Sequence, residues 1–176
     1  MLRHIIFSIL LISCVKGISQ NPIYAIFPMV DSMVIYANVV ELDTSITADE
    51  LYTAAKSWAI DAFKSTKEVI QEADKELHLI YIKGFIKANV YGGYWFTIKI
   101  ETKDGRYRYS LYDIIYDASA TVMGVTSRTT QPIEVSLKEA NTKERGQKYY
   151  KGVDEKFRAL LNSLEIRMQD AQTDDW

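Results

Sequence analysis

The Asp104-Gly105 dipeptide, set between two alternating runs, constrains this chain more tightly than any other feature of its sequence. A two-residue turn between such runs is a hairpin signal of type I′ form, and a turn of fixed length fixes the pairing that follows. Counting outward, Lys103 faces Arg106, Glu101 faces Arg108, Ile100 faces Tyr109, Ile98 faces Leu111 and Thr97 faces Tyr112. Opposite charges then meet on one face and apolar groups on the other. A slip of one residue would scramble both, because strand side chains alternate with a period of two. The sequence therefore predicts a half-buried antiparallel sheet organised around this hairpin.

The flanking segments extend that sheet and supply its cover. Residues 33–40 are rich in β-branched and aromatic types and read as a first strand. Thr47-Ala48-Asp49-Glu50 has the form of a capping box, and Leu51, Ala55, Trp58, Ala59, Ala62 and Phe63 then recur at helical spacing. Beyond Ser65 the period returns to two. Residues 68–71, 77–86 and 88–102 read as antiparallel strands, with a polar turn at Ala73-Asp74-Lys75 and a bulge or bend at Gly84. Residues 117–148 are rich in Ser, Thr and charge and read as an irregular segment, with a short strand at 133–137. The last element, 149–172, is a helix with Val153, Phe157, Leu160, Leu161, Leu164 and Met168 on one stripe, and with Asp154 and Glu155 in its first turn, where the helix dipole favours acids. The fold class is α+β: an antiparallel sheet with helices packed on one face.

The first nineteen residues stand apart. Arg3 and His4 precede an apolar run at 5–12 that is too short to span a bilayer, and Ser13 and Cys14 follow. This is the pattern of an export signal, which places the working protein in the periplasm, on the outer membrane or outside the cell. Leu11-Ile12-Ser13-Cys14 resembles a lipobox, in which the cysteine is acylated and becomes the new N-terminus; Cys14 is the candidate lipidation site and the chain's route to a membrane. The rival is ordinary cleavage near Gly17-Ile18-Ser19, which leaves Gln20 first, and the third reading is an uncleaved anchor. Because Cys14 is the single cysteine, no disulfide forms within the chain, and the domain is held by its core. Loss of 1–19 leaves 19 basic residues against 23 acidic ones, a net charge of −4 in place of −2. That balance disfavours a nucleic-acid partner, which clustered positive charge would recognise.

Chemistry is sparse along the rest of the chain. There is no glycine-rich phosphate loop, no nucleophile elbow and no pattern of metal-ligating histidines or cysteines, so no catalytic residue, metal site or cofactor is assigned. His78 is the one histidine beyond the leader, and an enzyme reading, a hydrolase or metal-dependent activity, would centre on it with carboxylates brought together by folding. Asp43, Asp49 and Glu50 are the carboxylates weighed for a cation, although helix capping already accounts for the last two. The aromatic residues point elsewhere. With Ile98, Ile100, Tyr109 and Leu111 turned toward the helices, strict alternation puts Trp95, Thr97, Tyr112, Ile114 and Tyr116 on the opposite face. Either Trp95, Tyr112, Ile114 and Tyr116 form a binding surface, or the segment 117–148 folds across them as a second small core.

The strand at 33–40, the helix with Leu51-Tyr52 and Ser57-Trp58, the meander, and above all Lys103-Asp104-Gly105-Arg106-Tyr107-Arg108-Tyr109 resemble a family of exported proteins from Gram-negative bacteria, described as a domain of unknown function with a TBP-like fold. The resemblance runs from 27 to 116. It implies a curved antiparallel sheet with helices on one side, and it carries no activity, catalytic residue or ligand. The expected function is a non-catalytic envelope module that binds an envelope protein, peptide or glycan through the open sheet face. A structural role as an assembly subunit, paired through a sheet edge, is the further alternative.

Overall fold

A computed structural model describes residues 23–63, 70–140 and 143–171. Its elements in chain order are a 3-10 turn at Tyr24–Ile26, β1 (Met29–Val30), β2 (Met33–Val34), β3 (Tyr36–Glu41), α1 (Ala48–Phe63), β4 (Ile70–Asp74), β5 (Leu79–Lys87), β6 (Gly92–Lys103), β7 (Arg106–Val122), β8 (Val125–Pro132), α2 (Ile133–Glu139) and α3 (Glu144–Asp170). β1 and β2 form a small hairpin. β4, β5, β6 and β7 follow one another across a six-stranded antiparallel sheet, and the far side of β7 is shared end to end by β3 and β8. The leader and Cys14 lie outside the described residues, as do the first residues of the strand expected at 68–71.

The hairpin register is the one predicted, pair for pair, from Lys103↔Arg106 through Ile98↔Leu111 to Thr97↔Tyr112. The turn itself differs. A type I′ turn needs positive φ at both central residues, and here Gly105 has φ +69° while Asp104 is not among the residues with positive φ. Asp104 is held by a task of its own: its Oδ1 accepts the Ala48 amide at 2.8 Å, and Gly105 N donates to the Ile46 carbonyl at 2.9 Å. The hairpin tip thus helps to cap α1, beside the capping box in which Thr47 N donates to Glu50 Oε2 (2.7 Å) and Glu50 N to Thr47 Oγ1 (3.3 Å).

Both long helices cover the same face. Leu51, Tyr52, Ala55, Trp58 and Ala59 of α1 are buried, whereas Ala62 is exposed, because the helix ends as it leaves the sheet. From α3, Phe157 sits at the centre of the core, with ring centroids 5.5 Å from Phe96, 5.6 Å from Tyr36 and 6.3 Å from Tyr94. Trp58 Nε1 donates to Ser163 Oγ at 2.9 Å and ties the two helices together. Gly84 is not a bulge, since the β5–β6 register runs through it without interruption. It is small because the Phe96 ring crosses it: a Cβ there would lie 2.5 Å from Phe96 Cζ and 2.7 Å from Phe63 Cε1.

Three other expectations are corrected. The described residues of 117–148 are largely regular: β7 continues to Val122, turns at Met123-Gly124 and returns as β8, and 133–137 belongs to helix α2, not to a strand. After Pro132 the buried residues Ile133, Ser136 and Leu137 follow helical spacing. α3 begins at Glu144, so Asp154 and Glu155 lie in its middle. Asp154 is buried there and accepts the Tyr36 hydroxyl (2.7 Å) and Arg158 Nε (2.8 Å); burial and this carboxylate push the Tyr36 phenol well above its ordinary range.

Candidate functional site

The decisive irregularity lies between β6 and β7. The register steps from Thr97↔Tyr112 to Trp95↔Ile115, so two residues advance on β6 while three advance on β7. The extra residue is accommodated at Asp113, whose φ is +54°, a conformation that Asp tolerates better than most residues. A bulge reverses the alternation beyond it. Ile114 is therefore buried on the helix side, and Tyr116 also turns inward to lie 5.2 Å from Tyr94 between ring centroids. Of the four binding residues read from the sequence, Trp95 and Tyr112 are on the open face, and Ile114 and Tyr116 are not. The signal for this was the pair Ile114-Ile115, two consecutive apolar residues that strict alternation does not allow.

The open face has a different centre from the one expected. Phe85, Trp95 and Ile115 stand in one row across β5, β6 and β7. The Phe85 and Trp95 rings meet at 5.0 Å between centroids and remain 40% and 38% exposed. Trp95 is fixed from the other side. Its Nε1 donates to Asp117 Oδ2 at 3.2 Å, and Asp117 also accepts Arg128 through Nε (2.9 Å) and Nη2 (2.7 Å), with Thr130 Oγ1 at 3.4 Å. Arg128 above all, then the indole, hold the Asp117 carboxyl down at about 2. Toward the hairpin tip, Glu101 accepts Nε and Nη2 of Arg108 (2.5 and 2.7 Å) and pairs with Lys99 (3.3 Å), and Lys99 lies 5.7 Å from the centre of the Tyr81 ring. Lys83 and Lys87 flank Phe85 on the same strand face. The described residues of 117–148 do not cover these side chains; β8 lies beside β7 in the plane of the sheet.

His78 occupies the turn before β5 with φ +49°. Its Nε2 is 2.8 Å from Asp49 Oδ1, and Lys75 Nζ is 3.2 Å from Asp49 Oδ2, so the carboxylate that an enzyme centred on His78 requires is within reach. These contacts dock the β4–β5 turn onto the first turn of α1 and lower the Asp49 carboxyl, His78 contributing most. Asp43 and Glu50 do not join them: Asp43 accepts the Ser45 amide and Glu50 completes the capping box. Among the described residues no three His, Cys, Asp or Glu side chains gather in a cluster fit for a metal ion. None of their helices is long and apolar enough to cross a membrane.

Residues 36–117, from the start of β3 to Asp117 on the open face, match the model of a domain of unknown function (DUF4468) with TBP-like fold. These residues belong to that family. A TBP-like protein from Parabacteroides distasonis is similar in structure, with a TM-score of 0.67 at 15% identity over 82% of this chain and 98% of that one. A DUF4468 family protein from Bacteroides ovatus gives a TM-score of 0.61 at 15% identity over 81% and 90%. At such identities the likeness establishes the fold alone. No curated protein matches the chain. The DUF4468 match stops before β8, α2 and α3, so Phe157, which fills the core of the domain, comes from outside the matched segment.

Proposed function

We propose that this chain is an exported, non-catalytic binding module whose open sheet face docks an acidic segment of another envelope protein. One observation carries the reading: both long helices cover one face, and the Phe85–Trp95 pair remains half-open on the other, braced by Asp117 and Arg128. An exposed aromatic pair held in a fixed orientation loses little conformational freedom on binding, which makes it a good anchor. Lys83 and Lys87 beside it complement carboxylates, in a chain that is acidic overall. The leader with Cys14 supports placement in the envelope.

The test is a photo-crosslinking amino acid at position 85 in the full chain, irradiated in intact cells. The expected product joins one envelope protein through a segment rich in Asp and Glu. A synthetic copy of that segment then binds in calorimetry, with affinity at least about tenfold lower for Trp95→Ser. The variant's melting temperature stays within a few degrees of the parent. A cytoplasmic partner, an adduct that is a glycan, or binding indifferent to Trp95→Ser would each overturn the reading.

A further inference from the structure

Two edge strands of the sheet, β4 and β8, are built on opposite plans, β3 sharing the second edge with β8. β4, at one end, is short, carries Glu72 and Asp74, and has an irregular register between Ile70 and Glu72. Those are the devices that keep a strand edge from recruiting another chain. β8, at the other end, has none of them along its length. Its eight pairs with β7, from Val122↔Val125 to Ile115↔Pro132, run without interruption, and residues 125–130 are all exposed. Its single charge, Arg128, is neutralised within the sheet by Asp117. Proline enters only at the end.

The tip of this hairpin adds a second observation. Met123 and Gly124 both have positive φ, +50° and +80°, the signature of a type I′ turn that Asp31 and Ser32 of the β1–β2 hairpin also show. Methionine at such a position is strained, and its side chain is 99% exposed, between exposed Val122 and Val125. Strain of this kind at an exposed apolar site points to a surface kept for contact.

We propose that β8 pairs antiparallel with β8 of a second copy of this chain, about a two-fold axis at Thr129. The turn geometry directs the Thr126, Arg128 and Thr130 backbone groups away from β7, and a two-fold axis at Thr129 pairs Arg128 of each copy with Thr130 of the other through both backbone groups, while the Thr126 amide meets the Pro132 carbonyl. Centring on Thr129 places Arg128 opposite Thr130 of the other copy on the open face; centring one residue away, on Arg128, would oppose two guanidinium groups. The same arrangement carries each apolar tip toward the far end of the other copy's edge. There Glu134 of α2 accepts the Val34 amide at 2.8 Å, and the β1–β2 hairpin exposes Val30 and Met33. Two apolar patches of one chain, at opposite ends of one edge, thus meet twice.

Sedimentation velocity over a range of concentrations tests this. The parent is expected to be a reversible dimer. Thr130→Lys sets a lysine opposite Arg128 of the other copy and should raise the dissociation constant at least about tenfold with a melting temperature within a few degrees of the parent, while Thr130→Ser, which keeps the hydroxyl that reaches Asp117, should keep the dimer. In a Cys14→Ser background, Thr129→Cys should form a disulfide-linked dimer on mild oxidation, and Ser127→Cys, which faces Gln131, should not. A monomer at every concentration, a dimer that Thr130→Lys leaves intact, or a dimer that Ser127→Cys links as readily as Thr129→Cys would overturn the proposal.

Discussion

The two faces of this sheet are stabilised by different physics although they share every strand. On the helix side, Tyr94, Phe96, Ile98, Ile100, Tyr107, Leu111 and Ile114 are removed from water by α1 and α3, and shape decides what fits. On the open side, Glu101 with Arg108 and Asp117 with Arg128 hold side chains in place while water still reaches them. Exposed ion pairs of this kind contribute little to stability. The covered face therefore carries the folding free energy, and the open face is available to specify a partner.

This division can be broken or sharpened by substitution. Phe157→Ala should cost about 3–5 kcal/mol, since it removes a ring packed against three others; a urea melt measures it, and a loss no larger than that of Trp95→Ser would erase the contrast between the faces. Next in size is Gly84→Ala. The added methyl has no room beneath Phe96 and should cost about 1–3 kcal/mol by the same measurement, whereas an equal methyl on the open face should pass unnoticed. The smallest effect is expected at Tyr107, whose buried hydroxyl has no hydrogen-bond partner among the described residues. Tyr107→Phe deletes an unsatisfied polar atom and should be neutral within about 0.5 kcal/mol or slightly stabilising. A clear loss of stability would reveal a partner for that hydroxyl.

How much of this was legible in the sequence depended on whether local rules acted alone. The hairpin register could be read to the residue, because turn length and a period of two leave no freedom, and the α1 capping box is a pattern of four consecutive residues. The open face departs from strict alternation where one residue, Asp113, breaks the period; nothing in its identity announces a bulge, and only the doubled isoleucine beside it marks the break. The β7–β8 arm is not legible in the sequence because exposure on both faces removes the contrast that marks a strand. The start of α3 is hidden in the sequence because its polar first turns, with Gly146 and Gly152, show little of the stripe that becomes plain from Val153 onward. Phe85 is hidden for a different reason: it gains importance only through the pairing that sets it beside Trp95.

The carboxylate of Asp104 receives an amide 56 residues earlier in the chain, and the next residue donates to the Ile46 carbonyl. The start of α1 and the tip of the β6–β7 hairpin consequently open together or not at all. Amide exchange at Ala48 and at Gly105 should report a single opening event, and fraying, the usual fate of a helix end, should be suppressed here by contacts from a hairpin tip far along the chain.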